Sequence, residues 1–306
     1  MTDLTFWTAV IAGAFTLCVP VVLAGLGEII LERSGGFNVG IEGIMLLGAA
    51  SGVVGALQGG FVMGLLSGVA AGALLGFLLG AATAWGRADI IVSGIAVGLL
   101  GSGLSIAVYQ ALAPAGSGNR IAPVQPHLAL DWLRAVPLVG TGIADAGPLF
   151  GLTLLLVGLV WWFLRQTRLG LRLIAVGDDE AVAAVRGIRV REVRLGAAVV
   201  AGAFAGLGGA AVPLSDIGSF TPQMTGGTGF IALAVVIIAR RHPGGLLAGA
   251  LLFAVFNSLA LLSQTRDVEL PVELYQALPY LATLFVLIVT ARRRTALHAR
   301  SLASPA

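Results

Sequence analysis

Long uncharged runs constrain this chain more than any other feature. Residues 6–27, 43–86, 90–119, 146–164, 195–215, 217–239, 242–265 and 274–291 contain no Asp, Glu, Lys or Arg. A membrane helix needs about 20 largely apolar residues, and most of these runs reach that length. The whole chain is 58% hydrophobic and 11% charged, with mean hydropathy +0.98. Soluble domains carry about a quarter charged residues. A water-soluble globule of this size has too much surface to hide so apolar a composition. The expected fold is an all-α polytopic membrane protein forming one transmembrane domain over 1–306, in contact with membrane lipid.

The run 43–86 would extend about 66 Å as one helix at ~1.5 Å per residue. That is roughly twice the hydrocarbon core, so the chain must fold back. Gln58-Gly59-Gly60 is the expected turn. The count is then about nine membrane segments, within roughly eight to ten, with short or broken segments allowed among them. The 44 glycines would weaken helices in water but let membrane helices approach closely. The amino-terminal run lacks a basic flank, carries Asp3 and is too long for a cleaved signal, so it is expected to be the first span.

Charge placement sets the orientation. Threading nine spans puts Arg33, Arg87, the arginines of 165–194, Arg240, Arg241 and Arg292, Arg293, Arg294 on one side. Arg120, Arg134 and Arg266 fall on the other. Cytoplasmic loops are enriched in basic residues, so the C-terminus is expected in the cytoplasm and the N-terminus outside. This distribution also explains the pI near 9.7 without nucleic acid, and the chain has no lysine. A single Cys18 inside an apolar run excludes disulfides and Cys-based metal sites within the chain.

Two loops stand apart. The external loop 112–147 is rich in Pro and Gly and holds Trp132. It reads either as an irregular outer loop or as a surface that receives a solute-delivering partner. The cytoplasmic loop 166–194 contains a short helix outside the bilayer. Asp178 is expected as its N-cap, with Asp179 and Glu180 in the first turn, where the helix dipole favours anions. Arg186 occupies the last turn and Gly187 the left-handed stop. Its apolar residues Val182, Val185 and Ile188 either lie on lipid or enter a groove on a partner.

Three separated stretches carry a family resemblance. Residues 27–48 contain Gly27-Glu28, Glu32-Arg33, Gly35, Asn38, Gly40, Glu42-Gly43 and Met45. Residues 168–188 contain Arg168, Gly170, Arg172, Val176-Gly177 and Gly187-Ile188. Residues 218–234 contain Gly218, Phe220, Met224 and Gly229-Phe230-Ile231-Ala232. In this order they resemble the permeases of ABC importers in the branched-chain amino acid, ribose and nucleoside group, and the third stretch resembles the nucleoside and simple-sugar branch. The resemblance spans nearly the whole chain. It implies a type II-like importer permease, a second homologous permease, a cytoplasmic ABC ATPase and a periplasmic or lipoprotein solute-binding protein. It makes 166–194 the coupling loop, with Asp178, Asp179, Glu180, Val182, Val185, Arg186 and Gly187 meeting the ATPase. The chain departs from the family at Asp178-Asp179, where Asn-Pro is common, and at His242, where Asn is common. The solute implied is a nucleoside, with ribose-type sugars and branched-chain amino acids as alternatives.

Several residues could line a translocation path. Asn38 and Glu42 are spaced to share one helix face. They tie down a broken helix, Glu42 accepting from freed N–H groups or from Arg33, or they line the path as ionisable groups near a membrane do. Glu42 is expected near the cytoplasmic interface. Gly227 and Gly229 interrupt a later segment that begins on the external side. Two interrupted segments in opposed orientation suggest an inverted repeat, and glycine packing alone explains them equally well. Ser93 and Asn257 complete the path candidates.

No catalytic constellation appears, and without lysine there is no phosphate-binding Gly-x-x-x-x-Gly-Lys loop. ATP is therefore expected to be used by a partner subunit and the chain to hold no cofactor or metal. A stand-alone carrier would show mid-span charges; an intramembrane enzyme would need the missing catalytic groups.

Overall fold

The computed structural model describes residues 3–113, 122–126, 140, 142–143 and 146–263. Among them all regular structure is helical. The expected span 274–291, the clusters at Arg120, Arg134, Arg266 and 292–294, Trp132 and most of the loop 112–147 lie outside the described residues.

Helix α1 covers Asp3–Arg33 and α2 covers Ile41–Gly80, followed by a π-helical turn Ala81–Trp85. Helix α3 is Ile90–Leu112, α4 Gly147–Gln166, α5 Arg168–Asp178, α6 Glu180–Val185, α7 Val190–Ser215, α8 Thr228–Ile238 and α9 Pro243–Ser263. Among the described residues, six helical stretches are long and apolar enough to cross a membrane: Thr5–Arg33, Ile41–Trp85, Ile90–Leu112, Gly147–Gln166, Val190–Ser215 and Pro243–Ser263.

The expected fold-back is present. Gly60 has φ 83° and ψ −179° inside α2, a conformation that glycine adopts without a Cβ penalty. The chain reverses there. The Ser67 hydroxyl donates to the Ser51 carbonyl at 2.7 Å, and the backbones of Gly52 and Gly64 face each other. Each arm is about 30 Å long at ~1.5 Å per residue, which matches the hydrocarbon core. The second arm ends at Arg87, and Asp89 then caps α3 by accepting from Ile91 N–H at 2.9 Å and Val92 N–H at 3.0 Å.

The main packing seam joins α2 to α7. A Cβ on Gly72 would overlap the Gly202 carbonyl and lie 2.7 Å from Gly206 Cα. A Cβ on Gly202 would overlap the Gly72 carbonyl in return. The helices therefore touch backbone to backbone, as small residues permit where lipid offers no hydrophobic drive to associate. Helix α1 fills the other side of α7 and contacts α8 and α9. Its buried Cys18, Val22, Leu26 and Ile29 form the middle of the core.

Residues 217–239 do not form a full span. Only Thr228–Ile238 is helical, 11 residues, about 16 Å at 1.5 Å per residue. The approach from 216 to 227 is irregular, with positive φ at Gly218, Gln223, Gly226 and Gly227. Apolar runs measure composition, and this run is apolar without being continuous helix.

Gly202→Leu should lower stability by at least ~2 kcal/mol through overpacking of this seam. A Cβ on Gly151 meets nothing within 4 Å. Gly151→Ala should leave the melting temperature unchanged or raise it, since alanine is about 1 kcal/mol the better helix former. Thermal unfolding of the detergent-solubilised variants compares the two.

Candidate translocation cleft and coupling segment

After α1 the chain turns at Ser34-Gly35-Gly36 and runs back beside the same helix. Asn38 N–H donates to Glu28 Oε1 at 3.0 Å, and Gly40 N–H donates to Asn38 Oδ1 at 3.0 Å. Asn38 is thus buried in an irregular segment before α2 begins. This corrects the expectation that Asn38 and Glu42 share a helix face: the Asn38 side chain bonds the backbone two residues on, as in an Asx turn, and the helix begins only at Ile41. Gly40 and Gly43 press so closely on the Gly94 and Gly98 carbonyls that no Cβ would fit.

Glu42 then lies in the first turn of α2 and closes the start of α8. Its Oε1 accepts from Gly227 N–H at 2.9 Å and from the Thr225 hydroxyl. Its Oε2 accepts from Gly229 N–H at 2.7 Å. Helix α8 has no side-chain cap of its own, and Gly227 stands in the left-handed region at φ 84°. Glu42 supplies the cap from 185 residues away in sequence. The positive ends of two helices converge on one carboxylate. Of the two bonding expectations for Glu42, the freed N–H groups are its partners; Arg33 instead donates to the Arg241 carbonyl at 3.2 Å. Glu42 lies at the N-terminal end of α8, whereas Arg240 and Arg241 follow its C-terminal end, about 16 Å along the helix axis. The two interrupted segments, expected on opposite sides, meet here.

A cleft of about 420 Å³ opens beside this junction. Glu42, Gly43 and Leu46 of α2 form one wall, and Ile95, Leu99 and Ser102 of α3 another. Gln223, Gly227 and Phe230 close the third side. Phe230 is 52% exposed there. Of the sequence-based path candidates, Glu42 and Gly227 line the cleft. Gly229 lies behind Glu42, with its backbone against the Glu42 Cα. Asn38 and Ser93 are buried outside the lining, and Asn257 is partly buried on α9, outside it too. Sequence reasoning missed Gln223, whose φ of 61° marks an irregular backbone. It also gave no path role to Ser102, although Ile95, Leu99 and Ser102 recur at helical spacing.

The loop 166–194 folds into α5 and α6. Thr167 caps α5 by accepting from Gly170 N–H at 3.0 Å. Asp179, not Asp178, caps α6: its side chain accepts from Val182 N–H at 3.0 Å. Asp178 is spent as the last residue of α5, so the cap moves one place along. Gly187 stops α6 at φ 79°, with Gly187 N–H on the Ala184 carbonyl and Ile188 N–H on the Ala183 carbonyl. Ala183 and Ile188 pack with Val176, Val190 and Val193. Val182 and Val185 stay outside, 55% and 89% exposed. Glu180 pairs with Arg194 at 2.9 Å, and Arg194 Nε donates to the Ser34 carbonyl at 3.3 Å. Arg241 pairs with Glu32 at 3.0 Å. The ends of α1 and α8, and the α6 segment, are therefore fastened at the turn 34–36.

The family model for the branched-chain amino acid transport system permease component matches residues 10–287. The chain belongs to this family. The permease is 33% identical to the nucleoside ABC transporter permease protein NupC of Lactococcus lactis and 30% identical to the guanosine ABC transporter permease protein NupQ of Bacillus subtilis. Each similarity covers 91% of this chain and 90% of the relative. It is also 34% identical to the putative glucose ABC transporter permease protein TsgC13 of Haloferax volcanii, over 81% of this chain and 76% of that protein. The permease is a multi-pass membrane protein and the transport subunit of an ABC system.

Glu42→Ala should lower stability by at least ~3 kcal/mol, because each partly buried donor left without an acceptor costs about 1–3 kcal/mol. Glu42→Gln keeps one acceptor oxygen and should lose less. Thermal unfolding of the purified permease orders the three proteins; equal stability of Glu42→Ala and the parent would show that the cap is dispensable.

Proposed function

We propose that the permease carries a nucleoside inward across a bacterial inner membrane, as one of two homologous permease subunits. A cytoplasmic ABC ATPase hydrolyses ATP, and a periplasmic or lipoprotein binding protein delivers the solute. The N-terminus lies outside and the C-terminus in the cytoplasm, which agrees with the arginines at 33, 87, 168, 172, 186, 189, 191, 194, 240 and 241. The nucleoside reading rests on NupC and NupQ, each similar over 90% of its own length. TsgC13 makes a simple sugar the competing reading.

One observation carries the transport mechanism: α6 exposes two valines and is joined to the turn that leads to the cleft. Val182 and Val185 form the knob for a groove on the ATPase. Displacement of α6 together with α5 moves the turn 34–36, on which Gly177 and Arg194 bear. The segment after that turn ends at Glu42, where the cap on α8 and the cleft wall meet. Closing the ATPase dimer thus reshapes the cleft, and alternating access follows. The partner permease covers the open side, on which Phe230, Leu99 and Ile95 are exposed.

The cleft suits weak, transient recognition. Its polar groups are few: Glu42, Ser102 and Gln223. Glu42 is already engaged by three donors, so about one of its four lone-pair sites remains to accept a solute hydroxyl, with no unpaired charge left. A pathway must bind its solute loosely enough to release it.

Two measurements test the proposal on the transporter assembled in vesicles with the ATPase, second permease and binding protein of the same system. Guanosine uptake should be ATP-dependent and competed by other nucleosides; glucose uptake in its place would assign the permease to sugars. Val182→Asp with Val185→Asp should cut uptake by at least about tenfold, since charges in a desolvated contact are strongly unfavourable. Normal uptake in that double variant would remove α6 from the coupling role.

A further inference from the structure

A second cleft, of about 640 Å³, lies between α4, α5, the end of α6 and α7. Its lining joins two chemistries. Arg172, Arg186 and Arg189 line it with a single carboxylate, Glu192, which pairs with Arg189 at 3.0 Å. The rest is apolar: Phe163 of α4, Leu169 and Leu173 of α5, and Val193, Ala197 and Val200 of α7. On α7 the lining positions 193, 196, 197 and 200 follow the i, i+3, i+4, i+7 pattern, so they form one stripe about 10 Å long at 1.5 Å per residue. Gly196 leaves the stripe hollow, since a Cβ there would meet no atom within 4 Å.

We propose that this cleft binds one anionic phospholipid, its phosphate against the arginines and an acyl chain along the α7 stripe. The inference adds a ligand that the transport reading does not require, although it takes its cytoplasmic orientation from that reading. Three arginines facing one carboxylate leave a positive mouth. Guanidinium forks match phosphate oxygens and stay charged at any physiological pH. Leu169 and Val200 are exposed beside it, which would be unfavourable in water and is satisfied by lipid tails. A free phosphate would use the arginines alone and leave the hollow at Gly196 empty. The cytoplasmic leaflet is also where anionic lipids attract basic clusters. The cleft does not include Val182 or Val185, so lipid and ATPase would meet different faces of α6.

The test uses the full-length purified permease, stripped of lipid in detergent, with phosphatidylglycerol, phosphatidylcholine or inorganic phosphate added and bound species read by native mass spectrometry. Phosphatidylglycerol should be retained at least about tenfold better than phosphatidylcholine, and inorganic phosphate at the same concentration should not displace it. Arg172→Gln with Arg189→Gln should weaken retention by about tenfold or more, each surface cation being worth about fivefold. Gly196→Leu, which fills open space, should abolish retention with the arginines intact. Equal retention of phosphatidylcholine, displacement by phosphate, or undiminished retention in Gly196→Leu would each overturn the proposal. Should the arginine double variant not fold, the Gly196→Leu result decides alone. Uptake of guanosine or of glucose in vesicles reports on the transport reading separately, because lipid retention is measured without solute.

Discussion

In a hydrocarbon medium a backbone N–H without an acceptor is the most costly local error a helix can make. The permease nevertheless begins α8 at Thr228, partway along an uncharged run of span length. Glu42 makes this tenable. Its two oxygens accept from Gly227 N–H, Gly229 N–H and the Thr225 hydroxyl. The carboxylate is itself costly to remove from water. Three donors and two converging helix termini offset that cost, and the donors would be orphaned without it. The stabilisation is therefore mutual, and it fixes the start of α2 and the start of α8 relative to each other. Total protein stability is about 5–15 kcal/mol, so a junction with three such donors, at about 1–3 kcal/mol each, is a large share of it.

The glycine seam between α2 and α7 is the frame that holds this junction in place. Gly43 meets Gly98 on α3, and Gly48, Gly68 and Gly72 meet Gly206 on α7. Lipid is as apolar as leucine, so greasy side chains alone give these helices no reason to associate. What remains is dispersion at close range, which falls steeply with any gap, and weak Cα–H···O contacts between backbones. Both require the absence of a Cβ. The high glycine content follows from this packing, and the cleft inherits its shape from it. With α3 drawn tight against Gly40 and Gly43, its Ile95, Leu99 and Ser102 stripe is brought opposite Glu42.

Local signals in the sequence were readable; remote ones were not. The reversal at Gly60 and the stop at Gly187 were legible because each depends on one residue tolerating positive φ. The uncharged runs located all six long apolar helices for the same reason: length and composition are local. Between Asp178 and Asp179 the pattern offered two adjacent caps of the same type. The choice fell to Asp179 because α5 runs up to Asp178, and nothing near those two residues encodes where α5 ends. The partners of Glu42 lie 183 to 187 positions away. Periodicity cannot report a cap supplied from another helix, and the i,i+4 spacing to Asn38 suggested a shared face that the helix start at Ile41 rules out. Run 217–239 was legible in part: the glycines at 227 and 229 marked the interruption, and the helix starts at Thr228. Apolarity says where a segment can sit, and not whether its backbone stays helical.

The link between α6 and the cleft rests on contact more than on charge. The Glu180–Arg194 pair is partly exposed at both ends, and such pairs contribute about 0–1 kcal/mol. An ion pair that weak yields before it moves a packed helix. The stiffer connection is Gly177, where a Cβ would overlap the Arg33 carbonyl and lie 3.0 Å from Gly35 nitrogen. There α5 bears directly on the backbone of the turn 34–36. Arg194 adds a second point by donating to the Ser34 carbonyl, and Asn38 carries the next step through its bond to Glu28. Close-packed interiors transmit strain because they compress little. In the proposed coupling, a displacement of α5 and α6 reaches Glu42 through steric contact, with the salt bridges setting alignment. The same logic explains why the turn 34–36 needs glycine at 35, at φ 81°: the turn is narrow enough for both α5 and Arg194 to seat on it.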